Sequence, residues 1–320
     1  MRRIFQCIDI NSSYCPCMLA ETNDCVFCSQ LQGKGICDCH WSGVCVAYEK
    51  YWREKGQNKP ANIVRQDVAA KVLRRVQLAP TVYLLEMEIP PALAEELKRP
   101  GSFIFLRRVD DPLYFNFPVG IMKIRESVIT VIVDAVGPKS RRVAEFDGGS
   151  LLARGPYFNG VFGQPWIDNS IGSNILLIAG GMGQSPALPI ATKLAENLNQ
   201  VVAILAPGKI GKIFIAEELQ ALGIEVKIVA SLRKQGYKLL REYCASTDTR
   251  PDLVVSAGPD EQHYAVIDAL KTNGINIPMA VTNNARMCCG EEICGSCGKT
   301  THDGKVIKTC KVQTDFCRLT

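Results

Sequence analysis

Between residues 69 and 135 the apolar positions fall in short runs rich in Val, Ile and Phe, separated by Pro, Gly or charged residues. The runs at 69–78, 82–88, 102–107, 117–123 and 128–135 predict successive strands, and their close spacing suggests an antiparallel barrel or sandwich. Residues 138–146 read as a helix, and Leu151-Leu152-Ala153 leads into Arg154-Gly155-Pro156-Tyr157-Phe158-Asn159-Gly160. After about residue 173 the rhythm becomes β-α-β. A buried apolar strand at 175–179 is followed by the glycine-rich turn Gly180-Gly181-Met182-Gly183-Gln184-Ser185-Pro186, a helix at 187–198 and a strand at 201–205. Further strands are expected at 225–229, 253–256 and 278–281 with helices between, an alternation that indicates an open parallel sheet. Residues 7–45, by contrast, hold too few large apolar side chains to fold around a core. Residues 48–60 are charged and aromatic and predict a short helix and a linker.

Composition changes this picture in one respect. At 320 residues, with 47% hydrophobic and 22% charged residues, the chain has the make-up of an ordinary globular protein of two or three domains. A formal charge of +5 is mild, and no basic stripe interleaved with aromatics points to nucleic acid. The anomaly is cysteine: of 15, eight fall in residues 1–45 and six between Cys288 and Cys317. No apolar h-region follows Met1-Arg2-Arg3 and no apolar run approaches a membrane span, so a cytoplasmic location is expected. There, clustered cysteines more often bind metal or carry out redox chemistry than form disulfides.

The C-terminal group reads C-x4-C-x2-C from Cys289 through Cys294 to Cys297, then a fourth cysteine, Cys310. This is the spacing of plant-type 2Fe-2S ferredoxins, and soft thiolates suit iron-sulfur clusters. A structural zinc site is the alternative, but zinc sites usually pair cysteines two to four residues apart on both sides. Cys288 would fit as first ligand with C-x5-C spacing. Gly290, Gly295 and Gly298 are expected to let the backbone turn closely, since glycine tolerates positive φ. At the other end of the chain, Cys15, Cys17, Cys25, Cys28, Cys37, Cys39 and Cys45 offer enough thiolates for a second iron-sulfur cluster or for structural zinc, with His40 as an alternative ligand.

The glycine-rich turn at residues 180–186 lies between a strand and a helix, where backbone N–H groups and the helix dipole favour phosphate. It lacks the G-x-G-x-x-G fingerprint of the Rossmann dehydrogenases. The order of barrel, parallel α/β domain and 2Fe-2S motif over roughly residues 65–320 resembles the ferredoxin–NADP reductase superfamily. Within it, the resemblance is to the dihydroorotate dehydrogenase electron-transfer subunit and to NADH-dependent ferredoxin–NADP oxidoreductases. The similar segments are Pro100-Gly101-Ser102-Phe103, Phe117-Pro118-Val119-Gly120-Ile121, Val136-Gly137-Pro138-Lys139-Ser140, the Gly155–Gly160 segment, the glycine-rich turn and Ala257-Gly258-Pro259.

The resemblance, which does not extend to the cysteine-rich residues 1–60, together with the cysteine pattern there implies a multidomain α+β protein in four parts. These are a Cys-rich metal-binding segment (1–60), an antiparallel β-barrel FAD domain (61–163), a parallel α/β NAD(P) domain (164–284) and a small C-terminal iron-sulfur module (285–320). Phe117, Pro118, Val119 and Gly120 would lie beside the flavin, and Gly137, Lys139 and Ser140 at its pyrophosphate. Gly155, Asn159 and Gly160 would precede the nucleotide domain. Gly180, Gly181, Gly183, Gln184, Ser185, Gly258 and Pro259 would meet the nicotinamide nucleotide. Where many members carry Arg and Ser or Thr around the flavin-side proline, this chain has Phe117 and Gly120, and Lys139 or Arg141 are candidate replacement cations. Ala257 stands where many relatives have a cysteine.

The function implied is electron transfer between NAD(P)H and a one-electron carrier, such as ferredoxin or flavodoxin, through FAD and the cluster. No acid-base triad is required, and His40, His263 and His302 are expected at the surface. Arg233 and Lys234, after the strand ending near residue 230, are positioned for a 2′-phosphate or for solvent. Two alternatives stand beside this reading. One is an electron-transfer subunit dependent on a catalytic partner such as dihydroorotate dehydrogenase. The other is a zinc-stabilised nucleotide-binding protein without redox turnover.

Overall fold

The computed structural model describes residues 6–9, 14, 65–246 and 249–319. The cysteine-rich stretch from Cys15 to Cys45 therefore lies outside the described residues. The described chain divides into two compact units, one holding residues 67–284 and the other the described residues before 67 together with 285–319.

The first described strand, β1 (Gln6–Cys7), belongs to the second unit. The first unit begins with six strands that close into an antiparallel barrel: β2 (Asp67–Ala79), β3 (Val82–Glu88), β4 (Phe103–Arg108), β5 (Phe117–Arg125), β6 (Val128–Asp134) and β7 (Ser150–Tyr157). Their order around the barrel is β2-β3-β6-β5-β4-β7. Five strands are those expected from the apolar runs. Strand β7, which the apolar runs do not mark as a strand, pairs with both β2 and β4 and so closes the barrel. Its Arg154, Gly155 and Pro156 disguise it, because they interrupt the alternation by which strands are read. Leu85, Met87, Ile104, Leu106, Ile129, Val131, Val133 and Leu151 fill the interior, all inaccessible to solvent. Helix α1 (Pro91–Glu96) and helix α2 (Pro138–Ala144) contribute Leu93, Ala94, Val143 and Ala144 to the same core.

The rest of this unit is a six-stranded sheet. It comprises β8 (Val161–Phe162), β9 (Asn174–Gly180), β10 (Gln200–Ala206), β11 (Glu225–Ile228), β12 (Leu253–Ala257) and β13 (Met279–Thr282), in the order β11-β10-β9-β12-β13-β8. All neighbours are parallel except β13 with β8. Strands β9 and β12 are apolar almost throughout because both faces are covered. Helix α3 (Gln164–Asn169) precedes β9, and α4 (Gln184–Glu196) packs Ala187, Ile190, Ala191 and Leu194 on the sheet. Val82, Met122 and Ile132 of the barrel belong to that same hydrophobic cluster, so barrel and sheet share a core. The chain runs from β9 outward through β10 to β11, then returns to β12 on the other side of β9. That reversal makes the carboxyl ends of β9 and β12 a topological switch point, where open α/β sheets bind ligands.

The second unit contains the short hairpin β14 (Gly298–Thr300) and β15 (Val306–Lys308), and β16 (Val312–Gln313), which pairs antiparallel with β1. Among the described residues no helix is long and apolar enough to cross a membrane.

Candidate functional site

A cleft of about 430 Å³ opens at the switch point, lined by Gly180, Met182, Gly183, Pro186, Gly258, Pro259, Asp260, Glu261, Thr282 and Asn284. Two sequence-predicted loops, the glycine-rich turn and Gly258-Pro259, thus meet at one site. Their closeness explains two of the glycines. A Cβ on Gly183 would lie 2.1 Å from the Ala257 carbonyl oxygen, and one on Gly258 would lie 2.1 Å from Gln262 Oε1. Gln184 and Ser185 are buried at the start of α4; Gln184 Nε2 donates to the Lys212 carbonyl and its Oε1 accepts from Phe214 N–H. Gln184 therefore anchors the neighbouring loop. Gly181 and Gly208 form a second close approach, a Cβ on Gly208 falling 2.8 Å from Gly181 Cα.

Beneath the cleft lies a polar network that the sequence did not reveal. His263, expected at the surface, is fully buried; His302 is exposed. His263 Nε2 is 3.0 Å from the Thr282 carbonyl, which can only accept, so Nε2 carries the hydrogen. Nδ1 then accepts from Ser256 Oγ at 2.9 Å, and Ser256 Oγ accepts from Gln262 Nε2 at 3.2 Å. Above them, Thr282 Oγ1 bonds both the N–H and the carbonyl of Gly258, and Asn284 Nδ2 donates to Gly258 O and to Asp260 Oδ1. His263 is buried because it fastens β12 to β13 and holds the second loop rigid. Thr282, Asn284 and Asp260 stand at the carboxyl ends of predicted strands, and that position was the available signal for them.

Leu232 packs against the end of β9, its Cδ1 lying 2.9 Å from where a Gly180 Cβ would be. The turn Leu232–Gly236 thereby sits beside the glycine-rich loop, with Arg233 and Lys234 exposed upon it.

On the barrel, Phe117, Pro118, Val119 and Gly120 lie on β5, paired with β4. A Cβ on Gly120 would meet nothing within 4 Å. Gly137 caps α2: its N–H donates to Ser140 Oγ at 3.0 Å, and Ser140 Oγ donates back to the Gly137 carbonyl at 3.2 Å. Lys139 Nζ donates to the Asn116 carbonyl at 3.3 Å, which brings a cation next to Phe117. Arg141 instead donates to the Ala135 carbonyl. Ser102 Oγ and Asn116 Oδ1, at either end of the β5 stretch, are buried without a hydrogen-bond partner. Such atoms are rare in folded proteins and require an explanation. The polar edge of a bound flavin supplies one, so these residues fit that group. Gly160 serves packing: its N–H donates to the Gly101 carbonyl at 2.8 Å, and its own carbonyl accepts from Asn283 N–H. Asn159 accepts from Asn283 Nδ2 through its carbonyl, and Gly155 leaves room for Ile104.

In the second unit, Cys289 Sγ accepts from the N–H of Glu291 at 3.3 Å and of Cys294 at 3.5 Å. Gly290 and Gly295 have φ of +72° and +74°; within residues 289–298 the other left-handed residue is Glu292 at +64° rather than Gly298, which begins β14. Burial opposes ionisation of Cys294, but hydrogen bonds from Ser296 and Cys289 bring its thiol down to about 7. The hydrogen bond with Cys310 lowers Cys297 to about 6 and raises Cys310. Among the described residues no group of three or more His, Cys, Asp or Glu side chains converges on a metal position, and the four thiols stand as the pairs Cys289–Cys294 and Cys297–Cys310. Burial raises the Cys289 thiol, so ionisation is eased in one member of each pair, Cys294 and Cys297. Four thiols within residues 289–310, with amide N–H groups directed at Cys289 Sγ, are the donor set of a thiolate-ligated cluster. Cys288 is exposed.

No protein-family profile matches the chain. Among solved structures, an NADH-dependent reduced ferredoxin-NADP oxidoreductase involved in flavin-based electron bifurcation superposes with a TM-score of 0.63 at 20% identity, covering 78% of this chain and 89% of that one. The ferredoxin reductase in carbazole 1,9a-dioxygenase superposes with a TM-score of 0.51 at 17% identity, covering 67% and 68%. The chain shares the fold of the ferredoxin–NADP reductase-like proteins and is similar in sequence to flavin-dependent electron-transfer proteins of that superfamily. Within it, the chain is similar to the dihydroorotate dehydrogenase B (NAD(+)) electron transfer subunit of Clostridium perfringens, 23% identical over 249 residues, 75% of this chain and 92% of the relative. A probable subunit of the same name from Methanopyrus kandleri is 26% identical over 225 residues, 66% of this chain and 76% of the relative.

Proposed function

We propose that this chain transfers electrons between NAD(P)H and a one-electron carrier such as ferredoxin or flavodoxin. The observation that supports it most is the switch-point cleft, lined by Gly180, Gly183, Gly258 and Pro259, in a sheet that shares its core with the barrel. When bound, FAD would supply the conversion between two-electron and one-electron chemistry, and a 2Fe-2S cluster a one-electron relay. The glycine-rich turn Gly180–Gly183 would present its backbone N–H groups to phosphate at the start of α4. Met182, Pro186 and Pro259 would offer apolar contacts to the nicotinamide, and Thr282, Asn284 and Asp260 polar ones. Arg233 and Lys234 would favour NADPH through its 2′-phosphate. Lys139 stands in for the family's arginine at the flavin. Cys289, Cys294, Cys297 and Cys310 would hold the cluster, with Cys289 favoured over Cys288 by the two N–H groups it accepts from.

The test is the visible spectrum of anaerobically purified protein before and after NADPH or NADH. Flavin and iron-sulfur absorbance that bleaches is expected; a colourless protein holding zinc would overturn the proposal. A kcat/KM ratio favouring NADH would remove the role given to Arg233 and Lys234. Gly120→Ser restores the hydroxyl that many relatives carry at a position with open space. One added hydrogen bond should tighten FAD about threefold to tenfold, read by fluorescence titration of the deflavinated protein.

A second reading is favoured by the similarity to dihydroorotate dehydrogenase B electron transfer subunits: a subunit that serves a separate catalytic subunit. Co-purification of another flavin-containing polypeptide, with little ferredoxin reduction by this chain alone, would decide for it.

A further inference from the structure

Four charged side chains in the second unit form a closed ring of alternating sign. Arg65 Nη2 donates to both carboxylate oxygens of Asp9, at 3.0 and 2.9 Å, and Nη1 to both oxygens of Glu291, each at 3.1 Å. Lys311 Nζ closes the ring by bonding Glu291 Oε2 at 2.7 Å and Asp9 Oδ2. Asp9, Arg65 and Lys311 are buried, and each of the four touches two opposite charges. The Arg65 guanidinium also lies 4.1 Å over the Tyr14 ring. A planar fork can serve two carboxylates at once, which an ammonium cannot do with the same geometry.

The sequence positions of the ring give it meaning. Glu291 lies between Cys289 and Cys294, and its own N–H donates to Cys289 Sγ. Lys311 directly follows Cys310. Asp9 and Arg65 precede the barrel, and Ile8 N–H donates to the Lys311 carbonyl at 2.8 Å beside the β1–β16 pair. The ring therefore ties the three-cysteine loop to the segment of the fourth cysteine through two residues from the N-terminal part of the chain.

We infer that the Asp9–Arg65–Glu291–Lys311 ring is a latch that holds the cysteine loop against Cys310, making Asp9 and Arg65 positioning residues for the metal centre. The inference rests on the iron-sulfur reading of those cysteines. Groups that orient metal ligands from outside typically change metal retention by about 10–100-fold when removed. In the purified full-length protein, Asp9→Asn and Arg65→Met should release iron to a ferrous chelator at least tenfold faster than the parent. They should also broaden or shift the electron paramagnetic resonance signal of the dithionite-reduced protein. Asp9→Glu, which keeps the charge, should restore both, and Arg65→Lys should fall between. Flavin content and the rate of flavin bleaching by NAD(P)H should stay within twofold.

Phe316→Leu serves as a control, because it loosens a buried residue of the same unit without touching the ring. Equal iron release from Phe316→Leu and Asp9→Asn, with no rescue by Asp9→Glu, would overturn the latch. So would variants whose iron release and resonance match the parent. A parent protein that holds flavin and bleaches with NAD(P)H but contains no iron would overturn the latch and leave the flavin reading standing. A parent that holds iron but no flavin would do the reverse.

Discussion

Gly183→Ala is expected to lower the rate of flavin reduction by NAD(P)H at least a hundredfold while leaving flavin content unchanged. The backbone of Gly183 has φ −62° and ψ −17°, which alanine adopts freely, so the effect is steric alone. The new methyl group would lie 2.1 Å from the Ala257 oxygen, 2.4 Å from its carbonyl carbon and 2.7 Å from Gly258 N. All three are main-chain atoms at the end of a buried central strand, and none can rotate away. The glycine-rich turn must therefore move by about 1 Å, a displacement that can cost about a hundredfold in rate when it misaligns a bound reactant. The overpacking itself should cost about 1–3 kcal/mol of stability. Stopped-flow absorbance at the flavin band measures the first effect and thermal unfolding the second. Gly258→Ala provides the comparison, since its 2.1 Å contact is with the side chain of Gln262. That side chain can move by giving up its hydrogen bonds to Ser256 and the Ile178 and Ala257 carbonyls, whereas main chain cannot. A milder loss is expected there. Gly183→Ala reducing flavin at the parental rate would mean that the cleft does not receive the nicotinamide.

The second large effect concerns the charge ring. Lys311→Met should destabilise the unit containing residues 285–319 by about 3–5 kcal/mol, because it leaves the Asp9 carboxylate buried with one cation in place of two. The intact ring adds little net stability, since burying the three charges of Asp9, Arg65 and Lys311 costs nearly what the attraction among the four returns. Removal of one member is what exposes the cost. Hydrogen exchange of the amides of Val312 and Gln313 would report the change locally.

Acid provides an independent measure. Burial acts to raise the Asp9 carboxyl, but attraction to Lys311 and Arg65 outweighs it and holds the group below its ordinary value of 3.8. A carboxyl depressed in the folded state stabilises at pH above its unfolded value and loses that contribution as pH falls through its folded value. The β1–β16 pair should accordingly keep its protection through neutral and weakly acid solution and lose it only below about pH 4. Asp9→Asn should abolish this acid transition. Persistence of the same transition in Asp9→Asn would assign it to another carboxyl.

Much of this protein could be read from its residues in order, because much of it is built from local periodicity. Five of six barrel strands, the central parallel strands and the glycine-rich turn follow from runs of apolar residues and the breakers between them. Those signals act within about ten residues. Strand β7 escaped because Arg154, Gly155 and Pro156 break its alternation, and only its pairing with β2 and β4 makes it a strand. His263 reads in sequence as one polar residue of an amphipathic helix. Its burial depends on Ser256 and on the Thr282 carbonyl, which approach it only once β12 and β13 lie side by side. In the same way, the loops at Gly183 and Gly258 are 75 residues apart in the chain, and the reversal of strand order across β9 alone makes them walls of one cleft. The charge ring is the extreme case. Asp9 and Lys311 are separated by 302 positions and carry no local signature, since an isolated Asp, Arg, Glu or Lys is ordinarily a solvated surface residue. Burial turns them into partners, because charges withdrawn from water persist only where opposite charges meet them, and only the tertiary structure determines which ones meet.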